Sequence, residues 1–154
     1  MSHLNPGEPA PDFQGVDQHG QSVHLSGYRG QKVVLYFYPK DDTPGCTSEA
    51  CNLRDNYQAL KDHGFQVLGV STDDAQSHEQ FADKYSLPFR LIADPEMTIV
   101  QQYGVYGEKN SFGQKKMGTK RTTFVVDEKG HIAHIFRQVK SDNHAQQILD
   151  KVLK

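Results

Sequence analysis

Hydrophobic and polar positions change their period several times along this chain, and each change marks an element. Residues 32–38, Lys-Val-Val-Leu-Tyr-Phe-Tyr, are β-branched or aromatic on both faces, the pattern of a strand buried on both sides. Pro39 stops it. Thr43 then reads as an N-cap with Pro44 at the first helical position. Ala50, Leu53, Tyr57 and Leu60 follow at helical spacing, so one helix face is apolar, and Gly64 fits the helix stop. Residues 65–71, Phe-Gln-Val-Leu-Gly-Val-Ser, read as the next strand. Strand, helix and strand in succession make a βαβ unit, with parallel strands and a right-handed crossover.

Upstream, residues 13–17 and 22–25 flank Gln-His-Gly-Gln as a short hairpin. Downstream, residues 77–85 read as a helix, 87–92 as a short strand and 96–103 as a helix. Residues 104–118 hold four glycines and no period, which reads as a loop. Residues 121–127 and 131–137 form a second hairpin around Glu-Lys-Gly. The last helix, from Asp142, places Ala145, Ile148, Leu149, Val152 and Leu153 on one side. No linker or repeat divides the chain. Residues 1–154 therefore read as one α/β domain, a mixed central sheet with helices on both faces.

Composition narrows the function. Hydrophobic residues make up 36% and the net charge is −2. A core can form, but neither a nucleic-acid footprint nor a polybasic membrane patch is expected. No apolar run approaches the roughly 20 residues of a membrane helix. The opening Met-Ser-His-Leu-Asn-Pro-Gly-Glu lacks a charged-then-apolar signal pattern. The expected compartment is the reducing cytoplasm, where a permanent disulfide does not persist. The eight histidines are scattered without ligand spacing, and two cysteines are too few for a zinc site. No metal and no organic cofactor is expected.

Both cysteines, Cys46 and Cys51, lie just past the first central strand. Counting from Thr43, Cys46 is the third helical residue, where backbone N–H groups lack helical partners and the helix dipole favours an anion. Both effects favour thiolate, the nucleophilic form. Gly45 leaves room for a group to approach the sulfur, and Lys40 is close in sequence. Asp41, Asp42 and Glu49 oppose ionisation if they face it. Five residues along a helix place two Cα atoms roughly 8.7 Å apart, beyond the reach of about 7 Å that a disulfide allows. Pairing Cys46 with Cys51 therefore requires the first turns to unwind. A peroxide would oxidise Cys46 to a sulfenic acid, and Cys51 would condense with it to a disulfide. The spacing counts against a Cys-x-x-Cys dithiol oxidoreductase and equally permits a redox sensor that exposes a surface on unwinding.

Tyr-Phe-Tyr-Pro-Lys-Asp-Asp-Thr-Pro-Gly-Cys-Thr-Ser-Glu-Ala-Cys, residues 36–51, closely resembles the active-site segment of the Q-type peroxiredoxins, or bacterioferritin comigratory proteins. Pro39, Thr43 and Cys46 meet the family's Pro-x-x-x-Thr-x-x-Cys. Residues 7–13, 68–72, 103–108 and 121–127 fall in family order. The resemblance implies a thioredoxin-like fold and thiol-dependent reduction of hydrogen peroxide and organic hydroperoxides, with thioredoxin or a glutaredoxin as reductant. It implies that Cys46 is the peroxidatic cysteine and Cys51 the resolving one. Thr43 would bond the peroxide, Arg121 would return from the distant hairpin to stabilise the thiolate and developing charge, and Pro39 would shield the pocket. Tyr106 departs from the Trp of many relatives, a difference at the pocket rim. The family is commonly monomeric. The plainer readings stand beside these: Cys51 bordering the apolar face, Thr43 as a cap, Pro39 as a strand stop, and Glu49 as either a solvated residue or one that orients Arg121.

Overall fold

The computed structural model describes residues 4–111 and 113–152. Leu153, expected on the last helix, and the first three residues of the segment read for a signal lie outside the described residues. The chain opens with a short hairpin, β1 (Gln14–Val16) and β2 (Ser22–His24), and then a 3-10 turn at Leu25–Tyr28. β3 (Lys32–Phe37) leads into α1 (Pro44–Asp55), α2 (Tyr57–Asp62) and β4 (Phe65–Ser71). α3 (Ala75–Tyr85), β5 (Arg90–Ala93) and α4 (Thr98–Gln102) follow. The remainder is β6 (Tyr106–Ser111), β7 (Gln114–Thr119), β8 (Thr122–Val126), β9 (Ile132–Phe136) and α5 (His144–Val152).

Seven strands form one mixed sheet in the order β2-β1-β5-β4-β3-β8-β9. β3 pairs parallel with β4 and antiparallel with β8, so it lies inside the sheet with helices or loops over both faces. Its alternation sorts the core. Val34, Tyr36 and Tyr38 join Ala50, Leu53, Leu60, Phe81 and Ile148 from α1, α2, α3 and α5. Val33, Leu35 and Phe37 join Ile99 and Val100 of α4 with Phe13 and Phe124 on the other face. Gly69 of β4 is required by this packing: a Cβ there would lie 2.8 Å from Tyr36 Cζ.

Three expectations change. Residues 104–118 are no loop: β6 and β7 pair as a two-stranded hairpin whose register runs from Tyr106–Thr119 to Ser111–Gln114. Its second strand is largely exposed, so it lacks the buried face that gives a strand its apolar alternation. The single helix read from residue 44 to Gly64 breaks at Asn56, whose side-chain amide donates to the Asn52 carbonyl at 2.9 Å and competes with the helical ladder. α4 begins at Thr98 rather than at residue 96, because Met97 sits in the left-handed region at φ 63.

Candidate active site

Cys46 lies in the first turn of α1, 1% exposed and packed into the helix-side core. The first ladder bond of the helix runs from the Thr47 amide to the Thr43 carbonyl at 2.8 Å. The Gly45 and Cys46 amides precede it, and Thr43 leaves them free: its backbone is extended as a cap requires, but its side chain accepts no helix N–H. The expected side-chain cap is therefore corrected. The Thr43 hydroxyl donates backward to the Lys40 carbonyl at 2.8 Å, which leaves its oxygen lone pairs open to accept.

Arg121 arrives through sheet register. Phe37 at the end of β3 is paired with Thr122 at the start of β8, so the residue before Thr122 reaches a helix start 75 residues earlier in the chain. Its guanidinium forks. Nη2 donates to Cys46 Sγ at 3.4 Å and Nη1 to Glu49 Oε1 at 2.7 Å. Burial works against the charge of Arg121, but Glu49 and Cys46 beside it hold its pKa above the ordinary value. Gly45 lies beneath this fork; a Cβ there would meet Arg121 Nη2 at 3.0 Å.

Glu49, one turn after Cys46, is fully buried. Burial pushes its carboxyl up to about 7, against the pull of Arg121. Its Oε2 has no hydrogen-bond partner among the described residues. Behind it sits His144 of α5, also fully buried, with Nε2 3.8 Å from that oxygen. His144 Nε2 meets Thr123 Oγ1 at 2.7 Å and Nδ1 meets Gln147 Oε1 at 2.9 Å. Burial takes this imidazole down to about 4.

The acidic loop before the helix is turned away from the sulfur. Asp41 Oδ1 accepts from Tyr38 at 2.6 Å, and its Oδ2 meets Ser77 Oγ at 2.8 Å and His78 Nδ1 at 2.7 Å. His78 Nε2 meets the Ile92 carbonyl at 3.0 Å. Both ring nitrogens face acceptors, an arrangement that the doubly protonated ring satisfies. Ligand-capable atoms of Asp41, Asp73 and His78 lie within 4.8 Å of one another, a clustering that sequence spacing did not reveal; hydrogen bonds already engage them. Asp42 pairs with Lys84 at 2.8 Å and accepts from Tyr85 at 2.9 Å. Of the three nearby carboxylates, only Glu49 shares the cation of Cys46. Lys40 is exposed and Pro39 half-buried. Cys51 is half-buried and free, five residues along the same unbroken α1.

The structure thus sets a buried thiol at a helix start beside a forked arginine, and comparison with known proteins shows the family of the chain that carries it. Residues 6–135 match the AhpC/TSA family. A putative peroxiredoxin bcp of Coxiella burnetii is 45% identical over 95% of this chain and 97% of its own. Peroxiredoxin Bcp of Escherichia coli is 43% identical over 97% and 96%. This chain belongs to the AhpC/TSA family as a Bcp, or Q-type, peroxiredoxin. The fold agrees. A crystal structure of a Xylella fastidiosa PrxQ mutant superposes with a TM-score of 0.92, at 31% identity over 99% of this peroxiredoxin and 98% of that one. The Xanthomonas campestris bacterioferritin comigratory protein, characterised for alkyl peroxide reduction, gives 0.88 at 30% identity over 97% and 98%. The α/β sheet is thus the thioredoxin-like sheet of peroxiredoxins. No helix among the described residues is long and apolar enough to cross a membrane.

His144, His78 and Lys109 are the site's unforeseen neighbours. Lys109 enters from the unexpected β6–β7 hairpin and donates to the Thr119 carbonyl at 2.9 Å. Burial and then the charge of Arg121 lower its pKa, and Cys46 opposes them. No local signal marks any of these residues, because each is brought in by a separate element.

Proposed function

We propose that this peroxiredoxin reduces hydrogen peroxide and alkyl hydroperoxides at Cys46, and that Cys51 resolves the product. The observation that carries this reading is the Arg121 Nη2 contact on Cys46 Sγ at 3.4 Å, made at a helix start with unpaired amides. A permanently charged guanidinium favours thiolate. Its remaining donors, with the amides of the first turn, are placed to meet charge that develops on oxygen. The thiolate attacks the nearer peroxide oxygen. The S–O bond forms, the O–O bond breaks, and the departing alkoxide or hydroxide takes a proton to leave as alcohol or water. The Thr43 oxygen accepts the peroxide O–H, Gly45 gives the substrate its approach, and Pro39 closes the rim.

Cys46 is then a sulfenic acid. The Cys51 thiol displaces its hydroxyl as water and forms the disulfide. In an intact α1 the two residues lie too far apart, so the first turns open; helix starts open locally at modest cost. An external dithiol, thioredoxin or a glutaredoxin, restores both thiols by exchange and is itself oxidised. The Xanthomonas relative supports the alkyl peroxide substrate.

Intact mass and a peptide map after one equivalent of hydrogen peroxide test this. Loss of two hydrogens at a Cys46–Cys51 link is expected. Added oxygen on Cys46 with Cys51 free would remove Cys51 from the cycle, and no change at either thiol would remove the activity.

A further inference from the structure

Arg121 carries one positive charge, and two acidic groups compete for it. If Cys46 and Glu49 both ionise, two buried anions share one cation, and the ionisation of each disfavours that of the other. The hydrogen bonds around Glu49 decide which yields. Gln147 Oε1 accepts the Lys140 amide at 2.9 Å, and Gln147 Nε2 donates to the Gln138 carbonyl at 3.2 Å. Two backbone groups thereby fix the orientation of this amide. Oε1 is an acceptor, so the Nδ1 atom of His144, 2.9 Å away, carries the ring proton. Nε2 is then bare and accepts the Thr123 hydroxyl at 2.7 Å. This bare edge faces Glu49 Oε2 across 3.8 Å.

Among the described residues no donor therefore serves Oε2. The His144 proton points the other way, the Thr123 proton is engaged on Nε2, and the Tyr36 hydroxyl of β3, itself buried and without a partner, does not reach it. Arg121 serves Oε1 alone. A buried anionic oxygen with no donor is costly. We propose that the Gln147–His144–Thr123 chain holds Glu49 as a neutral carboxylic acid, proton on Oε2, so that the charge of Arg121 is directed to the Cys46 sulfur. Glu49 and His144 are thus positioning residues: Glu49 orients the guanidinium through its carbonyl oxygen without neutralising it. The rise of the Glu49 carboxyl to about 7 agrees. Above that value Glu49 ionises and takes back part of the charge, and Cys46 becomes harder to ionise.

The inference rests on Cys46 being the reacting thiol, and its test needs no peroxide turnover. Difference infrared spectra of the full chain at pH values from about 6 to about 8, bracketing the raised carboxyl, should show a protonated-carboxyl C=O band. The band should fade through about 7 and be missing from Glu49→Gln. Alkylation of Cys46 by iodoacetamide, in a Cys51→Ser background, supplies the second readout. The rate ratio of Glu49→Gln to its Glu49 parent should rise severalfold across the same range. Should Glu49→Gln fail to fold, His144→Asn offers an amide donor to Oε2 and should abolish the band at the acid end. A missing band in the parent protein, a constant rate ratio, or a band that survives His144→Asn would each overturn the proposal. If peroxide turnover fails while band and ratio behave as stated, the peroxidase reading falls and this one stands.

Discussion

Two buried polar clusters flank the start of α1, and they are built on different principles. On one side Asp41, Tyr38, Ser77 and His78 satisfy one another: every Asp41 oxygen has a donor and both His78 nitrogens have acceptors. On the other side Arg121, Glu49 and His144 leave Glu49 Oε2 without a partner among the described residues. A satisfied network rigidifies, and here it locks the turn from Tyr38 to Asp41 that leads into the helix. An incomplete network keeps charge available, and the available charge faces Cys46. One cluster holds the loop, and in the proposed reaction the other serves Cys46.

Substitutions can break this division of labour. Arg121→Ala should slow the reaction of Cys46 with hydrogen peroxide by about 100- to 1,000-fold, measured by stopped flow, with only a modest fall in Tm. If the rate changed by no more than twofold, the Arg121–Glu49–His144 cluster would have no chemical role. Asp41→Ala should do the opposite. It strands a buried imidazole and should cost about 3 kcal/mol of stability, or about 10 °C in Tm, read by calorimetry, while the surviving folded protein still reacts with peroxide. A normal Tm would show that the loop needs no lock.

The pH dependence of stability sharpens the comparison within the second cluster. Glu49 is raised from 4.5 to about 7, so the folded state binds more protons in that window and stability falls as pH rises. His144 is lowered from 6.5 to about 4, so the unfolded state binds more protons in that window and stability rises with pH. Each slope is at most about 1.4 kcal/mol per pH unit, and over their common range they offset. Denaturant unfolding of the wild type should therefore be nearly flat there. Glu49→Gln should expose a rise with pH, and His144→Leu, which removes the imidazole without giving Glu49 a donor, a fall; parallel curves for all three proteins would disprove the opposition.

Gly45→Ala should have the smallest effect, and it separates packing from chemistry. Alanine gains up to about 1 kcal/mol of helix propensity over glycine, yet its Cβ would meet Arg121 Nη2 at 3.0 Å. Tm should hold or rise, and the peroxide rate should fall severalfold. An unchanged rate would mean that the guanidinium can shift without loss.

The layers of the fold were legible because they rest on short-range rules. The continuous apolar run of β3, the βαβ unit and the Thr-Pro start of α1 all follow from local spacing. The β6–β7 hairpin was not legible, because its second strand is largely exposed and needs no apolar period. Nor was the break at Asn56, where one side-chain amide overrides a continuous helical pattern. His78 and His144 looked like scattered polar residues, and both proved fully buried. A histidine carries no mark of burial until the groups that satisfy its nitrogens are known.

By itself the sequence determined that two thiols lie five residues apart at the head of one helix, with the first among free amides. Those facts depend on helix geometry and capping, which operate over a few residues. Tertiary structure alone decided which charges Cys46 feels. The register of β3 with β8 delivers Arg121, α3 and α5 bring His78 and His144, and Asp41 turns to one histidine while Glu49 turns to Arg121. A charge acts over a few ångströms in a desolvated interior, and residues far apart in the chain become neighbours at that range only when the sheet and its covering helices have assembled.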